Sequence, residues 1–129
     1  MADDLIPDDV KQFVLENIDS VAHMEGLLLL RSDPQAEWTV EDAAKRLYIN
    51  SEQATEILAR LSANGFLIAS ASDVPVYKYL PHSAELAQMT DRTAEVYAKY
   101  LIPMTNLIHS KPKPRVQQFA DAFRLRKDK

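Results

Sequence analysis

Histidine is the side chain best suited to metal binding or proton transfer near neutral pH, and it occurs three times in this chain. His23, His82 and His109 lie far apart, so no two of them have the spacing of a metal-ligand pair on one helix. The chain has no cysteine to supply a thiolate, and its two glycines form no loop that could cradle a phosphate. We therefore expect no metal ion and no cofactor. His23 should lie in the first turn of a helix, His82 in a loop, and His109 at the negative end of a helix.

Paired carboxylates could serve as a general acid and a general base. The two candidate pairs, Asp8/Asp9 and Glu41/Asp42, are adjacent in sequence. On a helix, adjacent side chains diverge by about 100°, so this spacing does not bring them together. Acidic residues in a first helical turn are explained by the helix dipole. Serine and threonine are plentiful but lack a recognisable base, so we expect that the protein is not an enzyme.

Several side chains have the chemistry to contact DNA. Arginine and lysine bind phosphates or guanine, and glutamine pairs with adenine. The candidates are Lys45, Arg46, Gln53, Arg60 and Lys78, together with Arg124, Arg126 and Lys127 near the C-terminus.

Charge is unevenly distributed along the chain. Residues 1–110 contain 8 Lys and Arg against 17 Asp and Glu, a net of −9, whereas residues 111–129 contain 7 against 2, a net of +5. A basic tail on an acidic body can bind a nucleic acid, a membrane or an acidic protein, and it can also bind its own body or a second copy. Docking on the parent domain or across a dimer is the favoured interpretation for so short a segment.

The totals indicate a soluble globular protein with one domain. The chain has 129 residues, of which 47% are hydrophobic and 26% are charged. Its longest apolar run, Leu27 to Leu30, is far too short to span a membrane. The acidic start, with Asp3, Asp4, Asp8 and Asp9, is the opposite of a basic leader segment, so we expect a cytoplasmic protein.

Helical periodicity organises the first half of the chain. Pro7 followed by Val10, Phe13 and Val14 predicts a helix over 7–18. Ser20 is a plausible cap for a second helix, whose four consecutive leucines indicate that it lies at the centre of the core. Thr39 can cap a third helix, and Asn50 or Ser51 can cap a fourth, which presents Ala54, Ile57, Leu58 and Leu61 as a buried stripe.

The same segment continues into a predicted β-hairpin. Gly65 is placed as the left-handed residue that ends the helix before it. Residues 66–71 and 76–80 read as two strands joined by a turn at 72–75. Residues 83–109 predict a long helical segment, capped by Ser83 or Thr90 and kinked by Pro103.

The apolar face of this last segment is wider than one neighbouring element can cover. We therefore expect a homodimer in which the basic tail lies across the acidic body of the partner. The expected interface residues are Val96, Tyr97, Tyr100, Leu101, Met104, Leu107 and Ile108, with Phe119 and Phe123 from the tail. A small-molecule pocket around Tyr97 and Tyr100, or a membrane-surface helix at Phe119 and Phe123, is the less favoured alternative.

The element order over 20–80 resembles a winged helix-turn-helix domain. The matching features are Ala43, Ala44 and Leu47 on the first helix, Ile57, Leu58 and Leu61 on the second, the exit at 64–68, a short strand at Trp38, and Tyr77-Lys78-Tyr79 in the returning strand. The flanking helices look like the layout of MarR-type and PadR-type bacterial regulators, in which they build a dimer. The expected fold is mainly α with a small antiparallel wing. Residues 1–110 form one domain, with an N-terminal helix (7–18), a winged module (20–80) and a C-terminal helical segment (83–109). Residues 111–129 form a basic tail.

The resemblance implies that the helix at 51–64 enters the major groove of DNA and that the turn at 72–75 touches the backbone. Its exposed positions include Glu52 and Glu56, and the module carries five basic against eight acidic residues, a net of −3. Because DNA affinity depends on phosphate contacts, two hypotheses remain. The first is a DNA-binding transcriptional regulator that acts as a dimer. The alternative is a protein-interaction module without DNA binding. Fold favours the first and residue chemistry the second, with DNA slightly ahead.

Overall fold

The computed structural model describes residues 5–110. These residues form six helices and a two-stranded antiparallel sheet. The elements are α1 (Asp8–Asn17), α2 (Val21–Ser32), α3 (Val40–Leu47), α4 (Ser51–Ala63), β1 (Leu67–Ala69), β2 (Tyr77–Tyr79), α5 (Ala84–Lys99) and α6 (Leu101–Ser110). The predicted mainly α architecture with a small β-wing is confirmed.

Four of the helices begin at a side-chain cap. A short polar side chain accepts a hydrogen bond from a backbone N–H that the first turn would otherwise leave unsatisfied, which is worth about 1 kcal/mol per helix. The capping residues are Ser20 for α2, Thr39 for α3, Asn50 for α4 and Ser83 for α5. The capping role expected for these residues is confirmed, and Ser83 rather than Thr90 begins α5.

The end of α4 also follows from local chemistry. The N–H of Gly65 donates to the carbonyl of Ser62, and the N–H of Phe66 donates to the carbonyl of Leu61, both at 3.0 Å. This double return bond requires a left-handed residue, and Gly65 adopts φ +89°. The predicted stop at Gly65 is confirmed, and it turns the chain directly into β1.

The sheet is a narrow two-stranded hairpin, and one further residue, Trp38, bridges to β2. Leu67 pairs with Tyr79, and Ala69 pairs with Tyr77. Trp38 forms a single antiparallel bridge with Tyr77, with both N–H···O distances at 2.8 Å. The short strand expected at Trp38 is thus confirmed. Both hairpin strands are three residues long, so the loop between them, residues 70–76, is longer than the predicted turn.

The C-terminal segment contains a break rather than the predicted kink. α5 ends at Lys99, Tyr100 leaves the helical conformation with φ −127° and ψ 58°, and α6 begins at Leu101. Pro103 therefore lies in the first turn of α6, where a backbone N–H has no helical partner to donate to and its loss carries no cost. The predicted helical segment is two helices.

The core lies around α2. Met24, Leu27 and Leu30 are fully buried, and α2 packs against α3, α4, α6 and β2. α1 and α6 also pack on each other, and the ring of Phe13 in α1 meets Phe66 edge-on at 5.9 Å. The central position predicted for the leucine-rich helix is confirmed.

Candidate nucleic-acid interface

The outward face of α4 is the surface that a winged module would present to DNA. Its exposed residues include Glu52, Thr55, Glu56, Ala59 and Arg60. Ala54, Leu58 and Leu61 are buried on the opposite face, as their spacing predicts, whereas Ile57 is half-buried against the core. Two carboxylates therefore lie on this face for one guanidinium, which disfavours close approach to phosphates.

Arg60 does not project freely from this face. Its guanidinium Nη1 lies 2.8 Å from a carboxylate oxygen of Asp19, in the connection between α1 and α2. Both side chains are partly exposed, and a surface cavity of about 590 Å³ opens beside them. Solvent and small anions can therefore reach the pair, and a phosphate could replace the carboxylate of Asp19.

Gln53 has a structural role in α4. Its side-chain oxygen accepts from the backbone N–H of Asn50 at 3.3 Å, while the Asn50 side chain accepts from the Gln53 N–H at 2.7 Å. This reciprocal pair is a capping box. Pairing with adenine would use the same amide oxygen, so Gln53 could read a base only by leaving its cap.

Lys45 and Arg46 lie on the exposed face of α3, near its C-terminal end. The guanidinium of Arg46 lies over the ring of Trp38, 5.5 Å from the centroid. A cation–π contact fixes the position of the guanidinium but leaves its N–H groups able to bind an anion. Among the arginines of residues 5–110, Arg46 alone has no carboxylate within salt-bridge distance.

The two remaining described arginines join helices to α5. Arg31 of α2 lies 2.9 Å from Asp91, and Arg92 lies 3.1 Å from Asp9 of α1. Both pairs are exposed and contribute little to stability, roughly 0–1 kcal/mol each. Their charges are neutralised and are therefore poorly placed to attract DNA.

The wing presents an apolar outer face with one lysine. Tyr77 and Tyr79 point into the core, so Lys78 and its cross-strand partner Ile68 point outward. Ile68 is 52% exposed, Leu80 is 56% exposed, and Val74 in the connecting loop is 67% exposed. Of the predicted contacts, Lys78 is thus the single wing cation among the described residues, and it lies beside hydrophobic side chains.

Tyr48 is a surface residue that the sequence pattern did not single out. It follows α3 in a left-handed conformation, φ 58° and ψ 44°, and is 94% exposed. A left-handed conformation disfavours a residue with a Cβ atom, and an exposed aromatic ring gains no burial in return. No sequence signal reveals this conformation, because glycine or asparagine is the usual residue at such a helix end.

The expected dimer residues fall into two groups. Tyr97, Met104, Leu107 and Ile108 are buried within one copy of the chain, because α6 folds back against α1 and α2. Val96 and Tyr100 are half-buried, and Leu101 is 48% exposed, next to Ile102 at 66%. The part of the predicted surface that one copy leaves open is therefore the junction of α5 and α6.

Tyr97 is held by a hydrogen bond across the core. Its hydroxyl donates to a carboxylate oxygen of Glu25 on α2 at 2.5 Å. Burial raises the pKa of Tyr97 well above its usual value, and the hydrogen bond to Glu25 and the charge of that carboxylate raise it further. This bond ties α5 to α2.

The histidines lie where the sequence predicts. His23 is buried in the first turn of α2, and its ring Nδ1 accepts from the backbone N–H of Asp19 at 3.1 Å. His82 lies in the loop before α5, where its backbone N–H donates to the carbonyl of Gly65 at 2.9 Å, and His109 lies in the last turn of α6.

Within residues 5–110 no three His, Asp or Glu side chains are grouped as metal ligands. The same residues contain no helix with the length and hydropathy to cross a bilayer.

Three of the candidate contacts lie in the tail. Arg124, Arg126 and Lys127, like the expected dimer residues Phe119 and Phe123, fall outside the described residues.

The arrangement of a helix pair, α3 and α4, followed by a β-hairpin and framed by further helices defines a winged helix-turn-helix protein. Solved structures with the same fold include Sco3205, a MarR family transcriptional regulator from Streptomyces coelicolor in complex with DNA (TM-score 0.53, 17% identity, 98% of this chain and 82% of that one). Wild-type MarR from E. coli in its apo form is similarly related (TM-score 0.52, 14% identity, 98% of this chain and 87% of that one). So is a mutant of S. aureus MepR (TM-score 0.54, 11% identity, 92% of this chain and 85% of that one).

At these identities the likeness establishes a common fold. No protein-family model matches the chain, and no curated protein is significantly similar to it in sequence. The predicted winged helix-turn-helix fold with the flanking-helix layout of MarR-type regulators is thereby confirmed.

Proposed function

We propose that this chain is a transcriptional regulator that binds DNA through its winged module. The observation that carries the proposal is the fold, because a MarR family regulator solved in complex with DNA has the same fold, with a TM-score of 0.53. In such a module α4 faces the major groove, and the loop at 70–76 approaches the phosphate backbone.

Three cations would make the phosphate contacts of the module. Lys45 and Arg46 lie together on α3, and Lys78 lies at the base of the wing. Arg60 becomes a fourth when it exchanges the carboxylate of Asp19 for a phosphate. Two glutamates on α4 oppose this approach, so the proposed complex depends on few phosphate contacts and on a second copy of the module.

The proposed dimer contact is the junction of α5 and α6, around Tyr100, Leu101 and Ile102. Leu101 and Ile102 are exposed apolar side chains next to each other, and association would remove both from water. Light scattering on the variant Leu101→Asn/Ile102→Asn should show a lower mass than the unmodified chain. The matched control is Val74→Asn/Leu80→Asn, which changes exposed apolar residues of the wing. A monomeric unmodified chain at high concentration would contradict the dimer.

Loss of the three module cations is the direct test of DNA binding. Fluorescence anisotropy with duplex DNA at low salt should show that Lys45→Ala/Arg46→Ala/Lys78→Ala binds much more weakly than the unmodified chain. The control, Lys11→Ala/Lys99→Ala, removes cations from α1 and α5 instead. The slope of log K against log salt should fall in magnitude by about 2.7 per module in the triple variant and stay unchanged in the control. Equal losses in both variants would contradict a contact through this module.

A second candidate function is a protein-interaction module without DNA binding. The specific observation in its favour is the apolar outer wing, where Ile68, Val74 and Leu80 are exposed, in a module whose α4 also presents two exposed glutamates. Contiguous exposed apolar residues are typical of protein-binding surfaces.

The variant Glu52→Gln/Glu56→Gln separates the two functions. If α4 approaches DNA, loss of two carboxylates should tighten DNA binding by up to about tenfold at low salt. The control is Glu16→Gln/Glu95→Gln, which removes two carboxylates from α1 and α5. Unchanged DNA binding by the α4 variant would favour the protein-interaction function.

A further inference from the structure

The outward face of α1 combines exposed apolar and acidic side chains. Leu5 is 50% exposed and Leu15 is 36% exposed, although Val10 and Val14 on the opposite face are fully buried. Asp8, Gln12 and Leu15 are spaced by four and three residues within α1, so they share one side, and Leu5 precedes the helix. Glu16 extends this side by one residue. We refer to Leu5, Asp8, Gln12, Leu15 and Glu16 as the α1 face.

Lys11 lies on the same side of α1 and offsets the negative charge of Asp8 and Glu16 only in part. Asp9 pairs with Arg92, but no Lys or Arg among residues 5–110 lies within salt-bridge distance of Asp8 or Glu16. Glu16 accepts a hydrogen bond from the neutral Gln12 amide at 2.9 Å. Asp3 and Asp4 precede this face in the sequence and make the N-terminus more acidic still. A complementary occupant must therefore be basic and partly apolar.

The C-terminal tail, residues 111–129, has this chemistry. It carries seven Lys and Arg against two Asp. Val116, Phe119, Ala120 and Phe123 recur at the spacing of one apolar helix face. We propose that this tail docks on the α1 face of its own chain, with Phe119 and Phe123 covering the exposed leucines and the neighbouring cations meeting Asp8 and Glu16.

The point of attachment makes docking within one chain possible. α6 ends at Ser110 and packs directly against α1, so the tail begins next to the helix on which it docks. The eight residues from 111 to 118 reach up to about 25 Å when extended. A ten-residue helix such as α1 is about 15 Å long, so this segment is longer than the helix on which the tail is proposed to dock.

Docking has a consequence for the charge of the module. Arg124, Arg126 and Lys127 cannot pair with the acidic body and with DNA at the same time. A docked tail therefore leaves the winged module with its own negative charge, and a released tail adds cations to it. The docking itself does not depend on whether the module binds DNA.

Because the chain has no cysteine, a single introduced cysteine can be labelled specifically. A nitroxide label is attached to Gln12→Cys on the α1 face, and the signals of the tail amides are recorded by nuclear magnetic resonance on the full chain. Docking predicts strong broadening of the amide signals around Phe119 and Phe123. The control label at Ala59→Cys, on the exposed face of α4, should leave them sharp. Equal effects from both labels, or none from either, would overturn the proposal.

Two further experiments determine which copy of the chain supplies the tail and whether charge attraction holds it on the α1 face. In the first, chains that carry the nitroxide but no isotope are mixed with isotope-enriched chains that carry no nitroxide. The tail signals of the enriched chains should stay sharp. Broadening of these signals would show that the tail docks on a second copy and would overturn docking within one chain. The variant Asp8→Asn/Glu16→Gln should lose most of the broadening seen with the Gln12 label. The control variant Asp73→Asn/Glu95→Gln should retain it. Broadening that survives in the first variant would contradict the charge complementarity.

Discussion

The guanidinium of Arg60 lies 2.8 Å from the carboxylate of Asp19, and this pair joins α4 to the connection before α2. Arg60 is the one arginine on the exposed face of the helix that a winged module presents to DNA. Its charge is therefore neutralised by the chain itself until a stronger anion replaces Asp19. A fourth DNA contact, from Arg60, depends on this exchange.

Releasing Arg60 should favour DNA binding. In Asp19→Asn the guanidinium loses its charged partner, and we expect DNA binding at low salt to tighten by up to about fivefold, because an exposed pair is worth about 0.2–1 kcal/mol. Anisotropy titration measures this change. The matched control, Asp91→Asn, releases Arg31 of α2 and removes the same charge. An equal gain in the two variants would show that net charge, and not Arg60, determines the affinity.

Gly65 should tolerate no side chain. Its φ of +89° disfavours a residue with a Cβ atom, and a Cβ at this position would meet the ring of His82. We expect Gly65→Ala to lower the free energy of unfolding by about 1–3 kcal/mol in urea denaturation. The double variant Gly65→Ala/His82→Ala removes the clash but not the backbone cost, so it should recover part of the loss. Full stability in Gly65→Ala would contradict the left-handed helix end.

Tyr48 should be replaceable with a gain in stability. Its side chain is 94% exposed at φ 58°, so glycine relieves the backbone without losing packing. We expect Tyr48→Gly to raise the free energy of unfolding by about 0.5–1 kcal/mol. Urea denaturation tests this value, with the half-buried Tyr100, which has φ −127°, replaced by glycine as a contrasting case that should destabilise. A loss of stability in Tyr48→Gly would show that the ring makes a contact that holds the turn.

Tyr97 should make stability sensitive to alkaline pH. Burial and Glu25 raise the pKa of its hydroxyl in the folded state above the usual value of 10.0, so the folded chain holds this proton more tightly than the unfolded chain. The resulting stabilisation is fully present below pH 10.0 and is lost as pH rises toward the folded-state pKa. We expect Tyr97→Phe to be less stable than the unmodified chain at pH 7, by about 1 kcal/mol.

Above a pH of about 10 the difference in free energy of unfolding between the unmodified chain and Tyr97→Phe should narrow, because the phenylalanine variant has no hydroxyl to ionise at that position. Urea denaturation at neutral and at alkaline pH gives both values. Burial also raises the pKa of Tyr79. Because Tyr79 is present in both proteins, its ionisation affects the stability of both equally. A difference that stays constant across this range would contradict the raised pKa of Tyr97.

Local signals were enough to predict much of the fold. Ser20, Thr39 and Asn50 are short polar residues before apolar helical stripes, and each begins a helix as expected. Gly65 ends α4 because few other residues tolerate its conformation. These features depend on the few residues next to them, so they can be inferred without knowledge of tertiary contacts.

Features that depend on distant residues could not be predicted. The Arg60–Asp19 pair joins positions 41 residues apart. Met104, Leu107 and Ile108 are buried because their helix, α6, folds back on α1 and α2, and Tyr97 of α5 is buried where it bonds to Glu25 of α2. Sequence spacing shows that these four residues share an apolar face, but it does not show which element covers that face. Pro103 predicts a disturbance of the helix near Lys99, but it does not predict a complete break at Tyr100.

The central claim is that the winged module binds DNA with few phosphate contacts, and a salt series of DNA binding by the full chain tests it most directly. We predict measurable anisotropy of labelled duplex DNA at low salt, with a shallow dependence on salt. If Lys45, Arg46 and Lys78 are the main contacts of each module, log K should fall with log salt with a slope of about −3 per module. No binding at the lowest salt that keeps the protein soluble would contradict the claim and leave the protein-interaction function as the better account.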